Sequence, residues 1–448
     1  MFKILRLTVA LPLLLLPLIT GCSNPDSPKA TSVSNPHSDK TAELNTPKTN
    51  KTTVKQVVAL SLDNPDPDIT AEVKRYLNDL EAQGFAKENQ GVWIQTNDRL
   101  LVNHQGIIPL PAASVTKAAT TLAVLQKYGP DYQFVTKIGA IGSIEKGVLK
   151  GDLVIEGGED PFFVWEEAIA LGNTLNKIGI QRVAGNLVIT GKFYMNYESS
   201  PQKSGELLRE GLNSKIWLAE AETQFQTLPA GTPRPEVIIE GSVKVLPAAP
   251  TNVKPLVRHL SFPLFTLLKK MNMYSNNMMA EILADSVGGA EVVARLSAEA
   301  AGVPAEEIQL INGSGLGEEN KISPRAAVGI FQALEKYLRN YNMTLADVFA
   351  IAGKDLGVLQ ERKLPTFFVT KTGTLNNVSS LAGVLPTQKL GSVWVAIMNV
   401  GYNQEGFRAK QEELLNRLLK KWGTVANPPA ELLPTRDEKS KISSNEIL

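Results

Sequence analysis

The sequence predicts an α+β protein of three layers: an antiparallel sheet with helices on both faces, carrying a smaller β-rich inserted subdomain. Three observations carry that expectation. A hairpin signal spans Val92 to Asn103, and outside the insert further apolar strand runs return from about Phe367. Segments with helical spacing lie before, between and after them. From Tyr128 to about Pro250 the texture changes to short alternating runs separated by turn residues. Strands from both ends of a chain with helices between them suit one sheet covered on both sides.

The elements follow in order. Ile69, Val73, Leu77 and Leu80 recur at helical spacing, and Gly84 suits the helix end. Val92-Trp93-Ile94-Gln95 and Leu100-Leu101-Val102-Asn103 flank the polar turn Thr96–Arg99. Pro111-Ala112-Ala113-Ser114-Val115-Thr116-Lys117 then reads as an extended entry and a tight bend, leading into the helix-forming run Ala118–Leu125. The insert offers strands at Phe134–Ile138, Leu153–Glu156, Asn186–Thr190 and Val237–Val245, with a helix over Val164–Ile178. Helices return near Leu264, Met278, Val292 and Ala326. Strands follow at Phe367–Thr370, Ser379–Leu385 and Val393–Met398. A closing amphipathic helix places Phe407, Leu414, Leu415, Leu418 and Trp422 on one face. The expected organisation is a discontinuous main domain, 61–135 and 255–423, around an insert at 136–254.

The two ends differ from this body. Lys3 and Arg6 precede an apolar run from Leu7 to Ile19, the pattern of an export signal. The run is too short, and too interrupted by Pro12 and Pro17, to be a membrane span. Leu18-Ile19-Thr20-Gly21-Cys22 resembles a bacterial lipobox, which implies a signal peptide at 1–21 and a lipid on Cys22. Cys22 is the only cysteine, so no intrachain disulfide can form. Residues 22–60 are mostly Ser, Thr, Asn, Pro and Lys, and predict a flexible tether. Residues 424–448 have the same character and are expected to be an unstructured tail. Of the 448 residues, 43% are hydrophobic and 20% charged, and the formal net charge is +1. That balance suits a globular body with a sizeable core and gives no electrostatic footprint for nucleic acid.

The chemistry starts at Ser114, three residues before Lys117 on the same helical face. Ser-x-x-Lys also occurs at Ser143–Lys146, in a polar turn region, and at Ser200–Lys203, where Pro201 is expected to break the segment. Only Ser114 opens an expected buried helix, where the dipole and free N–H groups favour a developing anion. His37, His104 and His259 are the only histidines, and neither His104 nor His259 sits in a recognisable triad context. No His/Cys cluster has metal-ligand spacing, and no cofactor is implied. A serine nucleophile here therefore points to lysine as its base. Ser275-Asn276-Asn277 at a helix start and Lys371-Thr372-Gly373-Thr374 at a strand follow later in the chain.

These are the three short motifs of the penicillin-recognising serine enzymes, in that order. The chain resembles the class C low-molecular-mass penicillin-binding proteins, D-alanyl-D-alanine carboxypeptidases and endopeptidases with a β-lactamase/transpeptidase-like fold. Supporting flanks are Gly129–Phe134, Gly151-Asp152-Leu153, Gly158–Pro161, Ala280-Glu281, Gly313-Ser314-Gly315-Leu316 and Ile322–Arg325. Asn312 and Gly317 depart from the usual Asp and Ser, and the interval from Ser114 to Ser275 is short for the branch. The resemblance implies that Ser114 attacks the D-Ala-D-Ala carbonyl and that Lys117 takes its proton. Ser275 would relay a proton to the leaving amine, and Asn277 would bind the substrate backbone. Lys371, Thr372, Gly373 and Thr374 would hold the terminal carboxylate, with the N–H groups of Ser114 and Thr374 as oxyanion hole. The implied partners are peptidoglycan stem peptides, with β-lactams as covalent inhibitors. A β-lactamase or esterase on the same fold, and a non-catalytic wall-binding lipoprotein, are the alternatives. The residues leave open carboxypeptidase against endopeptidase, which membrane holds the anchor, and the oligomeric state.

Overall fold

The computed structural model describes residues 65–436 and 443–448. The expected signal peptide, Cys22 and the tether lie outside the described residues. The first helix, Pro67–Glu81, starts where Asp66 accepts hydrogen bonds from the Asp68 and Ile69 amides, with Pro67 in the first turn. It buries Ile69, Val73, Tyr76, Leu77 and Leu80. Each such side chain contributes roughly 1.5–3 kcal/mol on burial, which holds a helix that would be marginal alone.

The hairpin Gln90–Gln95 and Leu100–His104 joins the late strands in one six-stranded sheet. Its order is Ala350–Ile351, Val369–Leu375, Val378–Thr387, Gly391–Val400, Gln90–Gln95, Leu100–His104, antiparallel throughout. The side chains alternate cleanly. Val92, Ile94, Leu381, Val393, Val395 and Ile397 pack under the first helix and the C-terminal helix Gln404–Trp422. Trp93, Val384, Trp394, Ala396 and Met398 face the opposite core, where the helices Thr116–Tyr128, Leu264–Tyr274, Asn277–Val287, Ala290–Ala301 and Pro324–Arg339 gather. This is the three-layer α+β arrangement the pattern predicts. Thr116 through Leu125 are all buried, so the serine helix runs through the middle of its layer.

The insert has its own apolar core, from Ile138 to Val257. Its main sheet runs Val243–Val245, Leu187–Lys192, Asp152–Gly158, Val135–Ile141, Lys254–Leu260, Ser444–Ile447. Three expectations need correction here. The strand Lys254–Leu260 pairs with Val135–Ile141, so the insert's sheet extends past residue 255. Pro201 does not break its segment: Ser200 caps, and Pro201 opens, the helix Pro201–Gly211. The end of the tail is not unstructured, because Ser444–Ile447 forms the edge strand beside Lys254–Leu260. The reason is polar rather than apolar. Ser443 donates to the buried Glu167 carboxylate at 2.6 Å, and Asn445 Oδ1 lies 2.9 Å from Nδ1 of the fully buried His259. A segment recruited to satisfy buried polar groups carries no hydrophobic period.

Candidate active site

The serine turn is pinned from both sides before it becomes a helix. Leu110–Pro111 pairs with Lys321–Ile322, and the Ala112 amide donates to the Asn320 carbonyl at 2.9 Å. Ser380, on the central sheet, donates from Oγ to the Ala112 carbonyl at 2.6 Å. Ala113 then takes a left-handed φ of 47°, a conformation costly for a residue with a Cβ and held by these contacts. A short 3-10 turn, Ala113–Val115, carries Ser114 into the helix Thr116–Tyr128.

One turn on, Lys117 is fully buried. Its Nζ lies 2.9 Å from Ser114 Oγ, 2.8 Å from Asn277 Oδ1 and 2.8 Å from the Ser314 carbonyl. Burial pushes its pKa down to about 7, with the Glu281 carboxylate pulling the other way. The geometry specifies what the neutral amine does. Amide and carbonyl oxygens can only accept, so Asn277 and Ser314 occupy its two N–H groups and leave the lone pair for the serine O–H. Glu281 in turn accepts from the Gly313 and Ser314 amides at 2.9 and 3.1 Å, fixing the loop that carries that carbonyl.

Ser275 sits between two helices, with a left-handed φ of 54° at the end of Leu264–Tyr274. Asn276 caps the next helix by accepting from the Met279 amide, which sets Asn277 on the first turn toward Lys117. Lys371 projects from the strand Val369–Leu375, fully buried. Its Nζ donates to Ser275 Oγ at 3.0 Å and to the Thr372 carbonyl at 2.7 Å. Burial, and then the charge on Lys117, push its pKa well down. A charge on Lys117 thus disfavours the ammonium form of Lys371.

The structure thus forms two hydrogen-bonded groups, Ser114–Lys117–Asn277 and Ser275–Lys371, whose serines line one cleft. Thr372 and Thr374 line that cleft of about 230 Å³ together with Ser114 and Ser275. Gly373 lies where strand and serine turn touch: a Cβ there would stand 2.8 Å from the Ser114 amide nitrogen. A wider groove of about 1160 Å³ shares Thr374 with the cleft and is bordered by Leu316, Glu318, Glu319 and Lys321. The competing motifs fall elsewhere. Ser143 donates to Glu145 in a turn, and Ser200 is a helix cap. His104 contacts the Lys87 carbonyl, and His259 is packed against Asp160 and Glu167. Three residues of the cleft belong to none of the motifs, Val358, Arg362 and Arg408. Arg408 lies on an amphipathic helix, where a charge ordinarily marks a solvated face, and Arg362 lies in an irregular segment with no period to read.

A lysine strand next to the sheet edge, packed on a Ser-x-x-Lys helix in this three-layer fold, defines the penicillin-recognising class of serine enzymes. The family follows from the chain as a whole. Residues 69–216 and 234–421 match the D-Ala-D-Ala carboxypeptidase 3 (S13) family, and the chain belongs to it. The D-alanyl-D-alanine carboxypeptidase DacB of Haemophilus influenzae is 23% identical over 412 residues, 70% of this chain and 85% of that protein. Penicillin-binding protein 4 of the same organism is similar in structure, with a TM-score of 0.58 at 20% identity, over 77% of this chain and 98% of that one. The predatory peptidoglycan endopeptidase Bd3459 of Bdellovibrio bacteriovorus gives a TM-score of 0.62 at 22% identity, over 79% and 98%.

Proposed function

We propose that Ser114 is the nucleophile of a D-Ala-D-Ala peptidase acting on peptidoglycan stem peptides, with neutral Lys117 as its base. The observation that carries this is the 2.9 Å approach of a buried lysine amine to the serine hydroxyl, with that amine's other two partners able only to accept. Ser114 Oγ attacks the carbonyl of the penultimate D-alanine while its proton passes to Lys117. The tetrahedral oxyanion lies against the Ser114 and Thr374 N–H groups, each donor worth about 3 kcal/mol. The proton reaches the leaving amine through Ser275, held by Lys371, and the C–N bond breaks to give an acyl-enzyme. Water then cleaves the ester. The same steps serve a terminal D-alanine and a D-configured cross-link, in keeping with the carboxypeptidase and endopeptidase names of the relatives. Bd3459 has been captured acylated by penicillin G.

The test is intact-protein mass spectrometry after incubation with benzylpenicillin, followed by peptide mapping. One penicilloyl group per chain, on the peptide containing Ser114, is expected. An unmodified protein, or an adduct mapped elsewhere, overturns the assignment. Digestion of purified muropeptides would then divide the products between loss of D-alanine and cleavage of cross-links.

Export and lipid anchoring through Cys22 belong to the same proposal, supported by the charged start, the apolar run and the Gly21-Cys22 pair. Expression with labelled palmitate should mark the wild-type chain and leave Cys22→Ser unlabelled. Equal labelling of both would remove the anchor from the proposal.

A further inference from the structure

Arg408 reaches the cleft from the C-terminal helix Gln404–Trp422. Its Nη2 donates to Thr374 Oγ1 at 2.8 Å, while its Nε is buried without a hydrogen-bond partner. The neighbouring Arg362 is different: Glu412 lies 2.6 Å from its Nε and Gln411 takes a second bond. Arg408 has no carboxylate partner of this kind among the described residues. Arg75 and Arg209 also lack one, but both are exposed on helix surfaces. Arg408 is therefore the partly buried arginine whose charge is left uncompensated, and it stands at the wall of the reactive cleft.

A guanidinium in that position with an unused buried N–H is costly unless an anion completes it. Lys371 is poorly suited to that task. It is wholly buried, both its partners are neutral oxygens, and its environment favours the uncharged amine. Arg408 also acts on Thr374. Because the Thr374 oxygen accepts from Arg408, its own O–H is free to donate into the cleft. The two together offer a charged donor and an aligned hydroxyl, the pattern that recognises a carboxylate.

We propose that Arg408 is the specificity-determining residue for a free α-carboxylate on the leaving residue of the substrate, acting with the Thr374 hydroxyl it orients. This rests on Ser114 as nucleophile, since the carboxylate is located relative to that attack. The substrate class is a peptide whose leaving residue keeps that carboxylate, either a terminal D-alanine or the D-centre of a cross-link. Amidated or esterified ends are disfavoured.

The experiment compares kcat/KM for a diacylated peptide ending in D-Ala-D-Ala with that for its C-terminal carboxamide, in the wild type, Arg408→Gln and Arg408→Lys. Arg408→Gln is expected to lose about 100-fold on the carboxylate, the effect of unpairing a desolvated charge-assisted bond, and to change little on the carboxamide. The wild-type preference for the carboxylate should collapse, and Arg408→Lys should restore part of it. Equal losses on both substrates, or an intact preference in Arg408→Gln, would show that Arg408 merely supports the fold, and would overturn the inference. Wild-type turnover of the carboxylate peptide separates the two levels. Without it the assignment of Ser114 fails, and the inference with it; with it, an unaltered preference removes only the role of Arg408.

Discussion

Replacing Lys117 with methionine is expected to lower the rate of acylation by benzylpenicillin about 10²- to 10⁴-fold, the usual contribution of a positioned general base, while leaving the fold intact. Methionine has similar length and no charge, so it fills a fully buried site without a new desolvation cost. Arginine at the same position should be as inactive, because a guanidinium does not release its proton in a protein. The measurement is the second-order acylation rate by intact mass, with the thermal midpoint as the check on folding. A Lys117→Met protein that folds and keeps more than about a tenth of the rate would exclude lysine as the base.

The same lysine sets a pH profile. A free lysine near pH 7.4 is neutral in only about one molecule in a thousand. With burial holding Lys117 to about 7, roughly half of the sites carry the basic amine near neutrality. The base is the deprotonated form, so acylation should rise with pH through about 7 and fall tenfold per unit on the acid side. Glu281 works against burial by favouring the ammonium. The position of the limb is thus a balance between a dry helix and one carboxylate.

How much of this was legible in the sequence depends on whether the cause was local. The alternation of Val393-Trp394-Val395-Ala396-Ile397-Met398 is a short-range property, and those residues do divide between two cores. Ser114 could be separated from the other two Ser-x-x-Lys matches because Pro111 and the Ala/Leu run mark a helix entry. Ser275 and Lys371 were found by motif order, yet their contact joins residues 96 positions apart. No local pattern announces such a meeting. Arg408 shows the limit: its role comes from Thr374, 34 positions earlier, and along the helix it looks like any solvated charge. The terminal strand was missed for a related reason. Ser443 and Asn445 serve Glu167 and His259 more than 180 residues away, and a polar segment has no apolar stripe to display.

Gly373 joins the legible part of the site to the illegible part. The motif supplies the glycine, and the structure supplies the reason for it. A Cβ at that position would lie 2.4 Å from Ser380 Oγ, 2.6 Å from the Ala112 carbonyl and 2.8 Å from the Ser114 amide nitrogen. The serine hydroxyl could rotate away, although that would break its 2.6 Å bond to Ala112. The other two atoms are backbone on a strained turn and have nowhere to go. Gly373→Ala must therefore move the strand off the turn, separating the Thr374 and Ser114 N–H groups proposed to flank the oxyanion. Small displacements of this kind cost about 10²-fold, and losing one oxyanion donor costs about 10²- to 10³-fold. Acylation by benzylpenicillin should fall within that range, and overpacking should destabilise the fold by about 1–3 kcal/mol. Adding Ser380→Ala relieves one contact of the three, so the double variant should remain impaired. Full recovery in the double variant would mean that the Ser380 side chain alone demands a glycine. Near-normal acylation in Gly373→Ala would mean that the spacing between strand and serine turn does not control the chemistry.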